Sequence, residues 1–131
     1  MLRATKRSLK PGGRTAFFTI YVPNDVPRAA RRRALGAAPK YGWSRTSHTH
    51  LMRSAGFVDI DETDYTAQYD ETLRGWIDHS DERSAELVAL WGRQLFTERQ
   101  ADRRSSIEAV EAGWQRRSLI SATRPHLRRS R

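Results

Sequence analysis

His48-Thr49-His50 and the acidic run from Asp59 to Asp64 are the places in this sequence where metal-ligand side chains crowd together. Two imidazoles suit a divalent transition metal. Residues two apart on a helix, however, point to different sides, and no third ligand lies near in sequence. His48 is therefore expected as a half-buried helix residue, and no metal site is expected. Asp59, Asp61, Glu62 and Asp64 lack the glycine-containing loop pattern of a Ca²⁺ site, so a solvated strand edge suits them better. Tyr65, Tyr69, Trp76, Trp91 and Trp114 fall at core-like spacings and need no ligand to explain them. Cysteine is absent, which removes disulfides and thiolate metal sites.

The elements that hold these groups follow from local signals. Residues 1–9 read as the last turns of an amphipathic helix. Leu9-Lys10-Pro11-Gly12-Gly13-Arg14 then reads as a helix end and a tight turn, since proline cannot continue the helix and glycine accepts positive φ. The run that follows, residues 14–22, is rich in β-branched and aromatic residues and predicts a buried strand. Pro23 and Pro27 close it, and residues 28–35 predict a short, very basic helix. Another helix is predicted from near Ser44, with His48, Leu51, Met52 and Ala55 on one face at i, i+3, i+4 and i+7. Gly56 ends it, and residues 57–61 open a second strand that continues towards Thr66.

Residues 67–115 predict helix throughout. Tyr69, Leu73 and Trp76 mark one face. Ser80 is placed as the cap of a second helix, with Leu87, Leu90, Trp91, Gln94 and Leu95 as its apolar stripe. Ser105-x-x-Glu108 is a capping-box pattern ahead of Ile107, Val110 and Trp114, and Gly113 marks an end. Residues 117–125 form a β-prone run closed by Pro125. The residues beyond, 126–131, are expected to be a basic, disordered tail.

Three of these stretches, taken in order, resemble the class I S-adenosylmethionine-dependent methyltransferases. L-K-P-G-G-R plus an apolar strand resembles the junction before that family's fifth strand, with Ser8 where valine is common. H-L-M-R-S-A-G-F-V-D-I is similar to the helix, A-G-F turn and sixth strand that follow. R-S-L-I-S-A-T-R-P is similar to the last, antiparallel strand, which in the family slots between the fifth and sixth. The resemblance covers residues 1–125 but only the family's C-terminal half. It implies an α/β fold: part of a doubly wound Rossmann-like sheet, its last three strands, with several helices.

The family grips S-adenosylmethionine with a G-x-G turn after its first strand and an acidic residue ending its second. No G-x-G occurs here, and the acids of residues 59–64 lie on or after a late strand. No cofactor-binding residue is therefore assigned, and the cofactor's site is expected to lie outside this chain. Methyl acceptors in the family meet the cofactor beyond the C-terminal ends of the strands. Tyr21, Tyr41, Trp43 and His48 fall there and are the candidate acceptor-binding residues, with His48 as a proton acceptor; no catalytic residue is assigned. Met1 falls within a predicted helix, so a truncated product, inactive alone, is expected ahead of a subunit completing a split enzyme. Its first strand would then lack a neighbour, and an open edge invites self-association or a complementing chain.

Composition bounds these readings. The 131 residues make one modest domain, and the net charge of +9 is unevenly spread. Residues 1–40 hold ten Lys/Arg against one acid, residues 41–115 eight against fourteen, and residues 116–131 six against none. Basic ends at residues 28–33 and 116–131 are the alternative basis for a small nucleic-acid-binding protein. No recognised nucleic-acid motif accompanies them, so that partner is not expected. No apolar run is long enough to cross a bilayer and no signal-peptide pattern is visible, so a cytoplasmic protein is expected.

Overall fold

The computed structural model describes residues 1–37 and 47–126. Its elements run α1 (Leu2–Ser8), β1 (Arg14–Tyr21), α2 (Arg28–Ala37), α3 (His48–Ser54), β2 (Val58–Asp64), α4 (Thr66–Glu82), α5 (Ser84–Trp91), α6 (Arg93–Glu111) and β3 (Arg116–Thr123). The three strands form one sheet in the order β1-β3-β2, with β3 antiparallel to β2. The last strand in sequence is thus the middle strand in space, the position that the resemblance implied.

The turn into β1 takes its shape from its sequence. Gly13 N–H donates to Lys10 C=O at 2.8 Å, with Pro11 and Gly12 (φ +78°) at the two central positions. Proline first and a positive-φ glycine second are the residues a type II turn requires. A Cβ at Gly12 would collide with the His126 imidazole, so the position excludes a side chain on steric grounds as well. Gly12 N–H donates to Arg124 C=O and Arg124 N–H to Gly13 C=O, both at 2.8 Å, which fastens the end of β3 to the start of β1.

Helix α3 begins and ends on recognisable caps. The Ser47 hydroxyl accepts from the His50 N–H at 3.2 Å. At the other end Phe57 N–H reaches Met52 C=O and Gly56 N–H reaches Arg53 C=O, with Gly56 at φ +86°. This is a Schellman ending, and it turns the chain directly into β2. β2 carries one extra residue, because Val58 pairs with Thr123 but Asp61 with Ser121. Asp59 lies within that bulge at φ +50°. Asp59, Asp61, Glu62 and Asp64 are all exposed, as a charged edge strand requires.

The chain falls into two compact units. The first contains α1, β1 up to Thr19, α3, β2 and β3 from Ser118. Its core is Met52, Phe57, Ile120 and Ala122, with Leu2, Leu9, Phe17, Ala55 and Ile60 packed against it. The second contains the end of β1 from Ile20, α2, α4, α5 and α6, up to Arg117. It has two clusters: Val22, Val26 and Ala34 with Trp114, and Tyr69, Leu73 and Ile107 with Ile20, Ile77 and Val110.

The helical region departs from the sequence reading at four points. Ser80 caps nothing: α4 continues to Glu82, and the Ser80 hydroxyl is buried, accepting from Arg103 Nη1 at 2.8 Å. Ser105 and Glu108 lie inside α6, which runs unbroken from Arg93 to Glu111, so no helix starts there. The stripe from Leu87 to Leu95 is cut by Gly92 between α5 and α6, leaving Leu90 77% exposed. Trp76 is likewise 52% exposed, under the Arg103 guanidinium rather than in the core. The first departure is explained by packing of α6 against α4. It takes Ser80, Gln100 and Arg103 into a shared polar contact that outweighs a cap worth about 1 kcal/mol.

Ile120 is fully buried at the centre of the sheet. Ile120→Ala is expected to cost about 2–5 kcal/mol in urea unfolding. Leu90→Ala, at an exposed site, is expected to stay within about 0.5 kcal/mol.

Candidate functional site

The carboxyl end of β1 and the first turn of α3 carry the groups best suited to chemistry. Thr19 is a hydroxyl within the apolar run of residues 16–20, and α3 opens with His48 directly after the Ser47 cap. His48 Nε2 lies 3.2 Å from Thr19 Oγ1, within hydrogen-bond distance. The pair is half-buried. Burial pushes the His48 imidazole below the ordinary histidine range, and the Glu62 carboxylate, opposing this, pulls it up. The net direction is downward, so the imidazole is neutral at pH 7 and has the proton-acceptor form that acid–base work needs.

The four candidate acceptor-binding residues are distributed as follows. His48 stands at the start of α3 and Tyr21, half-buried, ends β1. Tyr41 and Trp43 lie outside the described residues. Thr19 is the residue that sequence reasoning missed. Its only signal was a hydroxyl in the run Ala16–Val22, and β-branched threonine is common in strands on packing grounds alone.

Among the described residues, the glycines at the start of β1 do not form a nucleotide-type cofactor cradle. Such a cradle needs glycines after a strand, where backbone N–H groups approach a ligand. Here Gly12 and Gly13 precede β1, and the space over Gly12 is filled by His126. Among the described residues no group of three or more His, Asp or Glu side chains is placed to hold a metal ion. No described helix is long and apolar enough to cross a membrane.

No protein-family model matches the chain, and no curated protein matches it. Solved structures do. A phosphoethanolamine N-methyltransferase 2 from Haemonchus contortus, in complex with phosphomonomethylethanolamine and S-adenosylhomocysteine, superposes with a TM-score of 0.80 at 15% identity. The match covers 95% of this chain and 29% of that one. A putative sarcosine dimethylglycine methyltransferase from Galdieria sulphuraria gives 0.77 at 14% identity, covering 96% of this chain and 47% of the other. A cyclopropane synthase from Mycobacterium tuberculosis gives 0.70 at 13% identity, covering 93% and 48%. The fold is therefore the α/β fold of S-adenosylmethionine-dependent methyltransferases, and the chain spans from under a third to about half of these neighbours' lengths.

The opposed influences on His48 can be separated. Glu62→Gln removes the carboxylate and is expected to move the His48 titration, followed by NMR, further down. The unfolded chain takes up the imidazole proton near pH 6.5, the folded chain only below that. Stability from this group is thus fully present above about pH 6.5 and is lost as pH falls through the folded value. His48→Gln is expected to flatten that part of the stability–pH curve.

Proposed function

We infer that this chain is the acceptor-side part of an S-adenosylmethionine-dependent methyltransferase, and that cofactor binding requires a glycine-loop half outside these 131 residues. The observation that carries the reading is the strand order β1-β3-β2, with the last strand inserted antiparallel beside β2. Its support is the likeness of fold to methyltransferases, one of them holding S-adenosylhomocysteine.

On this reading the acceptor meets the methyl group beyond the carboxyl end of β1. Neutral His48 takes the proton that an amine or hydroxyl acceptor loses on methylation, and Tyr21, Tyr41 and Trp43 are the further acceptor-binding residues proposed from the family resemblance. Methyl transfer is an in-line displacement governed mainly by positioning, so His48 assists without being indispensable. The acceptor itself is not assigned, because one fold serves many substrates. β1 ends the row of strands, and its outer edge is where the remaining strands, or a complementing chain, join.

Calorimetric titration of S-adenosylmethionine tests the reading. The chain alone is expected to give only heats of dilution. Expressed with the segment encoded immediately upstream of Met1, it is expected to bind saturably. Saturable binding by the chain alone, or none by the extended protein, overturns the proposal.

A further inference from the structure

A concave surface lies near the amino-terminal end of β1. It has a volume of about 390 Å³ and is lined by Arg3, Lys6, Arg7, Ala55 and Arg124. Arg3, Lys6 and Arg7 stand at i, i+3 and i+4 and therefore share one face of α1. Four cations line the groove and no carboxylate does. Among the described residues none of the four is paired with an acid. Another cleft of similar size, about 400 Å³ beside α4 and α6, differs in this respect. It balances Arg74 and Arg104 with Asp78 and Glu108.

The local geometry keeps the charges together. Arg124 Nη1 donates to the Lys6, Arg7 and Leu9 carbonyls at the end of α1. Those carbonyls carry the helix's negative partial charge, and the guanidinium covers them. Arg124 Nε and Nη2 make no hydrogen bond among the described residues, leaving one edge of the planar fork for an anion. A Cβ at Gly56 would collide with Lys6 Nζ, so the bare glycine backbone lets the ammonium sit close. Like charges at helical spacing repel, and a phosphate dianion among them would relieve that repulsion.

We propose that this groove binds the phosphate group of a small phosphorylated molecule. The eight residues of β1 span roughly 25 Å, so the groove is separate from the acceptor end of the strand and its occupant is not the methyl acceptor. A compact concavity of this volume suits a small ligand. The inference stands independently of the methyltransferase reading.

The probe is inorganic pyrophosphate, added to the full chain at constant ionic strength against sodium chloride and followed by amide NMR. Saturable shifts confined to α1, Gly56 and Arg124 are expected. The double substitution Arg3→Gln, Arg7→Gln, at exposed positions, is expected to weaken binding at least fivefold while leaving the circular dichroism spectrum unchanged. Arg93→Gln on α6 is expected to leave binding as it was. Equal weakening by Arg93→Gln, undiminished binding by the double variant, or shifts that never saturate overturn the proposal. So does a single-stranded oligonucleotide that binds these residues more tightly than pyrophosphate at equal phosphate concentration.

Discussion

Arg124 holds together residues more than a hundred positions apart. Its backbone exchanges hydrogen bonds with Gly12 and Gly13, and its side chain caps the carbonyl end of α1. Closing a loop of that length costs roughly 4 kcal/mol in chain entropy. Two backbone hydrogen bonds at about 1 kcal/mol net each do not offset it. The balance comes from burial: Ile120 and Ala122 on β3 are fully enclosed among Met52, Phe57 and Phe17. At about 1.5–3 kcal/mol for a large aliphatic side chain, burial drives the docking and the hydrogen bonds set its register. A displaced β3 would separate α1, β1 and β2, so the first unit depends on this junction.

The junction also sorts charge within that unit. Arg3, Lys6, Arg7 and Arg124 gather at the amino end of β1, while the exposed acids of residues 59–64 lie along β2. Glu62, one of those acids, is the group that reaches His48 electrostatically. A strand edge that keeps its backbone solvated with carboxylates thus also tempers the desolvation of the imidazole. The same residues serve solubility and site chemistry because β2 is short and α3 packs beside it.

In the second unit the polar contacts are organised by α6. Gln100 donates to the Ile77 carbonyl and to Asp81, and Arg103 to Ser80 and Gln100. Gln100 and Ser80 are buried, so each unmade partner would carry a desolvation cost of about 1–3 kcal/mol. That cost holds α4 straight through Ser80 and fixes its register against α6. Near the far end of the pair, Arg74 joins Asp70 of its own helix to Glu111 at 2.5 Å. Being exposed, it adds little stability.

The amino-acid sequence by itself determined the pieces that depend on backbone torsion and short-range period. Pro11-Gly12-Gly13 dictates the turn, Gly56 ends α3 and Gly113 ends α6 in the same six-residue pattern, and the β-prone run closed by Pro125 marks the last strand. Placing that strand between its neighbours came from likeness to a known family, since no local pattern specifies strand order. Only the tertiary structure decided that Ser80 and Ser105 lie inside helices, that Thr19 meets His48, and that four cations share one groove. Ser80 meets Arg103, Thr19 meets His48 and Arg124 meets α1 across long stretches of chain, contacts that local spacing does not report.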